Sequence, residues 1–466
     1  MPNFPLPLQS NPQEFREDGD ERLINCFAEK IGDKKFRIRS LPGFAVFSDD
    51  VNAVNCRGAI EADNFVYAVW EGGDVTKTDS SGVKTVIGHM GGVGPVDMAR
   101  NGATPFQIGC IVTDIGKYYV IENSTVSLVD TRDLPAFNSI CWISGYFVLG
   151  VADGRFFNTG LNDAKSINGL DFAVAEGNPD GLIRVFTNRL ELVLFGEKTT
   201  EIWGLDSNPP ATGSPFIRLG GAVINKGCAS ALSCVAIDNS YMWLGNDYKV
   251  YRNENYNPRR ISHYGVERSI AGQADKTTIR AGRWTYNGNE FYQISGDNFT
   301  WVYNAATGFW SEGASYLKSR LNASIYVEAW GGNYCFTSIN GTMYRLDDTI
   351  ATEGSDPLPF VIRCPDSPPK VTFNSIEGVF VAGRSKITGT ENQINSKVEL
   401  TWSDDGGATW ANHRVFELGK IGEYTRRVRT NRLGMADNKL GRRYEWRVTD
   451  PYVASMTKML VNESSV

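Results

Sequence analysis

Along most of this chain, apolar and aromatic residues come in short runs broken by Gly, Asn or Asp. Few stretches hold a helical apolar period for more than two turns, so the pattern predicts short strands and little helix. One unit recurs: an aromatic or apolar strand, a tight turn, then a second strand ending in an aromatic or polar break. The clearest copies are YFVLGVADGRFFNTG (146–160), LELVLFGEKTTEIWGL (190–205), SYMWLGNDYKVYRN (240–253), EFYQISGDNFTWVYN (290–304) and NYCFTSINGTMYRLD (333–347). Weaker copies surround NFVYAVW (64–70) and GCIVTDIGKYYVIE (109–122).

One residue near the middle of each copy's first strand serves as a marker: Ala68, Val112, Leu149, Leu194, Leu244, Gln293 and Phe336. Their separations are 44, 37, 45, 50, 49 and 43 residues. A four-stranded propeller blade takes roughly 40–50 residues. Blades around an axis bury faces that no single sheet can bury alone. The fold expected is all-β, a six- or seven-bladed β-propeller over about 51–352. A plain β-sandwich array is the competing reading, because the copies share shape rather than letters. Residues 353–370 (EGSDPLPFVIRCPDSPPK) read as a linker or the approach to a new domain. VTFNSIEGVFVAG, SKVELTWSDDGGATW and YEWRVTD follow and alternate like strands, so a C-terminal β-domain is expected over 353–466. Residues 1–50, with four early prolines and then LINCFAE, read as an extended N-terminal arm that ends by packing on the propeller.

Composition supports the β reading: Gly fills 48 of 466 positions and aromatics 12%, against a usual Gly share of about 7%. The first residues, MPNFPLPLQSNPQEF, have neither a basic start nor an apolar core of signal-peptide length, so cytosolic synthesis is expected. No apolar run is long enough to span a membrane as a helix. The eight cysteines (Cys26, Cys56, Cys110, Cys141, Cys228, Cys234, Cys335, Cys364) form no C-x-x-C pair and are expected as buried free thiols, with disulfides or zinc as the alternative.

Net charge is −6, unevenly spread. Residues 414–447 hold ten Arg or Lys against four acids, a local +6, which leaves −12 for the rest. Such an acidic body argues against tight wrapping of DNA by charge neutralisation. Within EYTRRVRTNRLG, Arg427 and Arg429 share a strand face by alternation. Arg426, Arg427, Arg429 and Arg432, with Arg442 and Arg443, are the candidate interface residues. A solvated strand face with internal ion pairs is the other reading of the same run.

Ser403, Asp405, Gly407, Thr409 and Trp410 satisfy S-x-D-x-G-x-T-W, the Asp-box, a hairpin turn closed by Ser and Asp side chains. It is expected to be structural. Asp-boxes recur in sialidases, so a sialidase-like or glycan-binding propeller is the alternative function. A glycosidase needs a carboxylate pair at a set distance, and nothing singles one out. His89, His263 and His413 are the only histidines, and no two have metal-ligand or triad spacing. His263 is expected at a surface or interface. Gly91-Gly92-Val93-Gly94 lacks the G-K-[ST] of a phosphate loop. No enzyme activity, cofactor or metal is expected.

Longer blocks carry a resemblance. INCFAE and LPGF near the start, GNPDGLIRVFTNRLELVLFGEKTTEIWGL and VINKGCASALSCVAIDNSYMWLGND with YNPRRIS in the middle, and LTWSDDGGATW…LGKIGEYTRRVRTNRLG at the end resemble the packaged-DNA stabilisation (tail hub) proteins of short-tailed bacteriophages. The resemblance implies a propeller subunit of a homohexameric ring below the portal and its adaptor. It further implies retention of packaged double-stranded DNA and attachment of tail needle and tailspike or fibre proteins. The location implied is the virion tail, assembled in the host cytoplasm without a membrane anchor.

Overall fold

Two-residue turns with both central residues at positive φ join many of the strands. Asp63-Asn64, Asn123-Ser124, Asp238-Asn239, Asn255-Tyr256 and Asn287-Gly288 all adopt this conformation. It is the hairpin turn whose twist matches paired strands, and Asn, Asp and Gly tolerate it best. The computed structural model describes residues 2–15, 18–49, 54–175, 180–210, 213–436 and 439–465. The expected border at 50/51, the Gly177-Asn178-Pro179 start of one quoted block, and Asp437 lie outside these.

Among the described residues, seven four-stranded blades follow one another. Six are continuous in sequence, at 56–89, 96–128, 137–174, 182–224, 235–260 and 280–312. The seventh takes three strands from 323–347, and its fourth, Gly43–Ser48, comes from the N-terminal segment. The innermost strands include Cys56–Ala62, Val96–Arg100, Leu182–Asn188, Arg280–Tyr286 and Ala323–Ala329. The last of these lies against the first, which closes the ring. Apolar clusters fill the gaps between blades, such as Tyr67, Val69 and Ile108 between the first two. Trp70 and Phe336 sit edge-on, 5.6 Å apart, where the seventh blade meets the first.

The C-terminal part is a sandwich of two sheets, and the N-terminal segment is built into both. In one sheet the hairpin Cys26–Gly32 and Lys35–Ser40 joins the last strand, Ser455–Ser465, followed by Val371–Phe380 and Val428–Ala436. Asn3–Phe4 pairs with that last strand as well. The other sheet extends the sixth blade: Phe309–Glu312, Asp20–Ile24, Phe360–Arg363, Arg443–Val448, Lys397–Ser403, Arg414–Glu417. Leu23, Ile38, Phe360, Ile362, Phe373, Leu400 and Trp446 pack between the sheets. The stretch read as a linker thus contains a central strand. Its Phe360, Val361 and Ile362 are buried despite the flanking prolines. Four ion pairs brace this junction: Arg22 with Asp20 (2.9 Å) and Glu312 (3.2 Å), and Arg363 with Asp20 and with Glu445 (2.7 Å).

The helix Tyr264–Gly272 lies between the fifth and sixth blades. His263 is its N-cap: Nδ1 accepts from the Gly265 amide at 3.1 Å, and the ring meets Trp301 edge-on. Against the expectation of a surface or interface position, the ring is half-buried and caps the helix. Burial pushes the imidazole down to about 4, with Glu267 opposing. An unfolded histidine takes its proton near pH 6.5. Stability from the neutral ring is therefore complete above about pH 6.5. It is lost as pH falls toward 4, by up to about 3 kcal/mol. His263→Asn keeps a capping acceptor and should flatten urea stability between pH 7 and pH 4 relative to the wild type. Equal slopes in the two proteins would show that His263 takes up its proton as readily in the fold as in the unfolded chain.

Candidate functional site

The Asp-box residues form the turn that their spacing implies. Ser403 Oγ donates to Asp405 Oδ1 at 2.7 Å and accepts from the Gly407 amide at 2.8 Å. Asp405 accepts from the Thr409 amide (2.8 Å) and hydroxyl (2.6 Å). These bonds, the Thr409 hydroxyl first, hold the Asp405 carboxyl well below the usual carboxylate range. Gly406 and Gly407 take positive φ. The half-buried Trp410 ring lies under the Arg363 guanidinium, 5.0 Å from it. Among the described residues every Asp405 hydrogen bond closes the turn.

The basic run divides into two groups by burial. Arg442 and Arg443 point into their own subunit and are 2% and 1% exposed. Arg442 grips Asp404 through Nε (2.6 Å) and Nη2 (2.8 Å), and donates to the Leu433 carbonyl. Arg443 grips Asp366 through Nε and Nη2, both at 2.7 Å, and donates to the Gly406 carbonyl. Gly441 sets their approach at φ +78°; a Cβ there would lie 1.7 Å from the Ser367 carbonyl oxygen. Both guanidiniums are committed internally.

The other candidate arginines surround the strand Val428–Ala436, which is an edge strand paired only with Val371–Phe380 among the described residues. Arg427 grips Glu377 (2.9 Å through Nε), and Arg426 pairs with Glu417. Among the described residues Arg429 donates only to Ser375 Oγ, at 3.4 Å, and its charge also bears on Glu377. Arg432 has no partner among the described residues. Val415, Ile421, Tyr424 and Met435 are exposed on the same segments. A cavity of about 750 Å³ opens beside Phe416, Thr425 and Arg426. Arg, Tyr and Met are among the residue types enriched at protein interfaces. The exposure of Val415, Tyr424 and Met435 was not legible beforehand, because it depends on which strand faces the sandwich leaves uncovered.

All eight cysteines are buried free thiols, with Cys228 and Cys234 sulfurs 3.6 Å apart. His413 meets Glu399 at 2.7 Å and His89 meets Asp74 at 3.6 Å, both on the surface. Among the described residues no helix is long and apolar enough to cross a membrane.

Residues 16–350 match a family model described as bacteriophage P22 Gp10, β-propeller. Residues 372–463 match a second, described as bacteriophage P22 Gp10, β-sandwich. No curated protein sequence matches the chain. Among solved structures, the WD40 β-propeller domain of Doa1 aligns at 10% identity, covering 65% of this chain and 96% of that one, with a TM-score of 0.43. Virginiamycin B lyase from Staphylococcus aureus aligns at 8% identity over 63% and 94%, with a TM-score of 0.45. U3-55K aligns at 10% identity over 66% and 99%, with a TM-score of 0.44. These likenesses carry no argument about function.

Proposed function

The chain belongs to the bacteriophage P22 Gp10 family, and from that premise we propose that it forms a homohexameric ring below the portal adaptor. The family is a phage tail hub and stabilisation protein, a structural component of the virion tail. In the proposed ring the subunits continue the DNA channel, retain the packaged genome and carry needle and tailspike or fibre proteins. The observation that carries the reading is the pair of family matches, which together span both the propeller and the sandwich. Physical features support it. A closed propeller strapped to a sandwich by its own N-terminal segment is a stiff unit suited to side-by-side packing. An acidic body makes few of the Lys and Arg contacts that hold DNA by counterion release, so DNA can slide past it. We further propose three units, 1–50, 51–352 and 353–466, in which the first supplies strands to both the propeller and the C-terminal domain.

Particles made without this protein should package DNA and then lose it while keeping the portal. Electron micrographs of complete particles should show the protein as sixfold density under the adaptor. Particles that keep their genome and fail only at host attachment would replace this reading with that of a glycan-binding tail protein.

We propose that Arg426, Arg427, Arg429 and Arg432 lie at a subunit or partner interface. Rim charges act mainly on association rate and its salt dependence. The double reversal Arg429→Glu with Arg432→Glu should slow ring assembly several-fold at low salt and much less at high salt, where screening shortens the reach of charge. Light scattering would follow this, and unchanged kinetics would assign the strand to solvent.

A further inference from the structure

A cavity of about 390 Å³ lies on the propeller axis, lined by residues from the inner strands of several blades. Its polar lining is mostly cationic: Arg57 from the first blade, Arg184 from the fourth, Arg280 and Arg283 from the sixth. Arg57, Asp97, Arg184 and Arg280 all fall within the first three residues of their strands. Because those strands surround one axis, this shared position places the four at one level.

The counter-charges do not balance. Asp97 Oδ1 accepts from Arg184 Nη2 at 2.8 Å, and Oδ2 accepts from the Ile140 amide at 3.0 Å. The Arg283 pair with Glu328 (2.8 Å) sits at an exposed rim. Arg57 is only 2% exposed and forms no ion pair among the described residues; it donates to the carbonyls of Gly94 (2.7 Å) and Gly91 (3.2 Å), and the Asp114 carboxylate near those carbonyls offsets part of its charge. Its Nη1 and the Nε of Arg184 are buried without any partner. Arg280 makes no hydrogen bond or ion pair among the described residues. Burial pushes both Arg57 and Arg280 below their ordinary range; Asp114 opposes this at Arg57, while at Arg280 the nearby Arg184 charge adds to the effect and Asp97 opposes it.

Buried guanidinium N–H groups left without hydrogen-bond acceptors, with cations outnumbering the carboxylates around them, are costly. Their planar donor forks match tetrahedral or planar oxyanions. We propose that the axial cavity binds a small free oxyanion of the phosphate class, held by Arg57, Arg184 and Arg280. The anion supplies the missing negative charge and ties the first, fourth and sixth blades across the axis. The site is independent of the basic strand in the sandwich and of the assembly reading.

Thermal unfolding of the full chain in inorganic phosphate, at ionic strength held constant with chloride, tests this. Phosphate also stabilises proteins generally by exclusion from their surfaces, so Arg280→Gln provides the baseline. The wild type should show a saturable rise in Tm, and calorimetric titration should give one phosphate per chain. Arg280→Gln should bind at least tenfold more weakly. Without phosphate it should melt no lower than the wild type, because it has lost a charge with no ion-pair partner among the described residues. Arg283→Gln, at the rim, should bind as the wild type does. Absence of phosphate binding to the wild type by titration, or equal binding by Arg280→Gln, would overturn the proposal. If Arg280→Gln fails to fold, the wild-type titration alone decides.

Discussion

A chain lacking residues 2–48 should fail to reach the folded state. Its propeller would lack Gly43–Ser48, the strand that completes the seventh blade. The bared edge of Met343–Asp347 would then be a template for aggregation. The sandwich would lose strands from both sheets at once. Leu23, Phe27, Ile38, Leu41 and Phe44 are all buried. At about 1.5–3 kcal/mol for each buried large side chain, their loss is on the order of 10 kcal/mol. That matches the whole stability of a typical domain, about 5–15 kcal/mol. Far-UV circular dichroism and size-exclusion chromatography would register the outcome. A truncated chain that stays monodisperse and melts with the full protein would instead make the segment a dispensable arm, engaged only during assembly.

The second large effect is expected at Asp366. Substitution by Ala leaves the Arg443 guanidinium in the sandwich interior without its carboxylate. Breaking a buried pair from one side costs about 3–5 kcal/mol, mostly the penalty of the stranded charge. Arg443→Met combined with Asp366→Leu removes both charges and should recover much of the loss, a non-additivity expected for directly bonded partners. Asp404→Ala should cost less, since the Asp404 side chain is 41% exposed and water can reach its site. Denaturant unfolding followed by tryptophan fluorescence would separate the three. A cost below about 1 kcal/mol for Asp366→Ala would mean that the pair forms without stabilising the sandwich.

The repeat was legible because its strongest part is the second strand of each blade. Ala68, Val112, Leu149, Leu194, Leu244, Gln293 and Phe336 fall in the second strands of consecutive blades, one apiece. Those strands have neighbours on both edges and blades on both faces, so they read as continuous apolar runs. The outermost strands are weak in sequence for the opposite reason. In Asp163–Val174, for example, most residues are at least partly exposed. The Asp-box was equally legible, since every bond that makes it lies within seven residues. The basic segment was legible as charge but not as roles. Arg429 and Arg443 are alike in composition, and only the position of Glu377, Asp404 and Asp366 separates a rim cation from a buried brace.

Local chemistry alone therefore determined the all-β class, the blade spacing, the hairpin turns and the block resemblance to a tail hub family. Each depends on residues near one another in sequence, where alternation and turn propensity act directly. Tertiary structure decided the blade count of seven, the use of Gly43–Ser48 to close the ring, and the threading of the first 40 residues through both sheets of the sandwich. It also decided which arginines face solvent and brought Arg57, Arg184 and Arg280 to one level of the axis. Those outcomes depend on pairings across hundreds of residues, such as Leu346 with Phe44 or Arg22 with Arg363. Such pairings leave no periodic mark in the chain, because their free energy is realised only when distant strands meet.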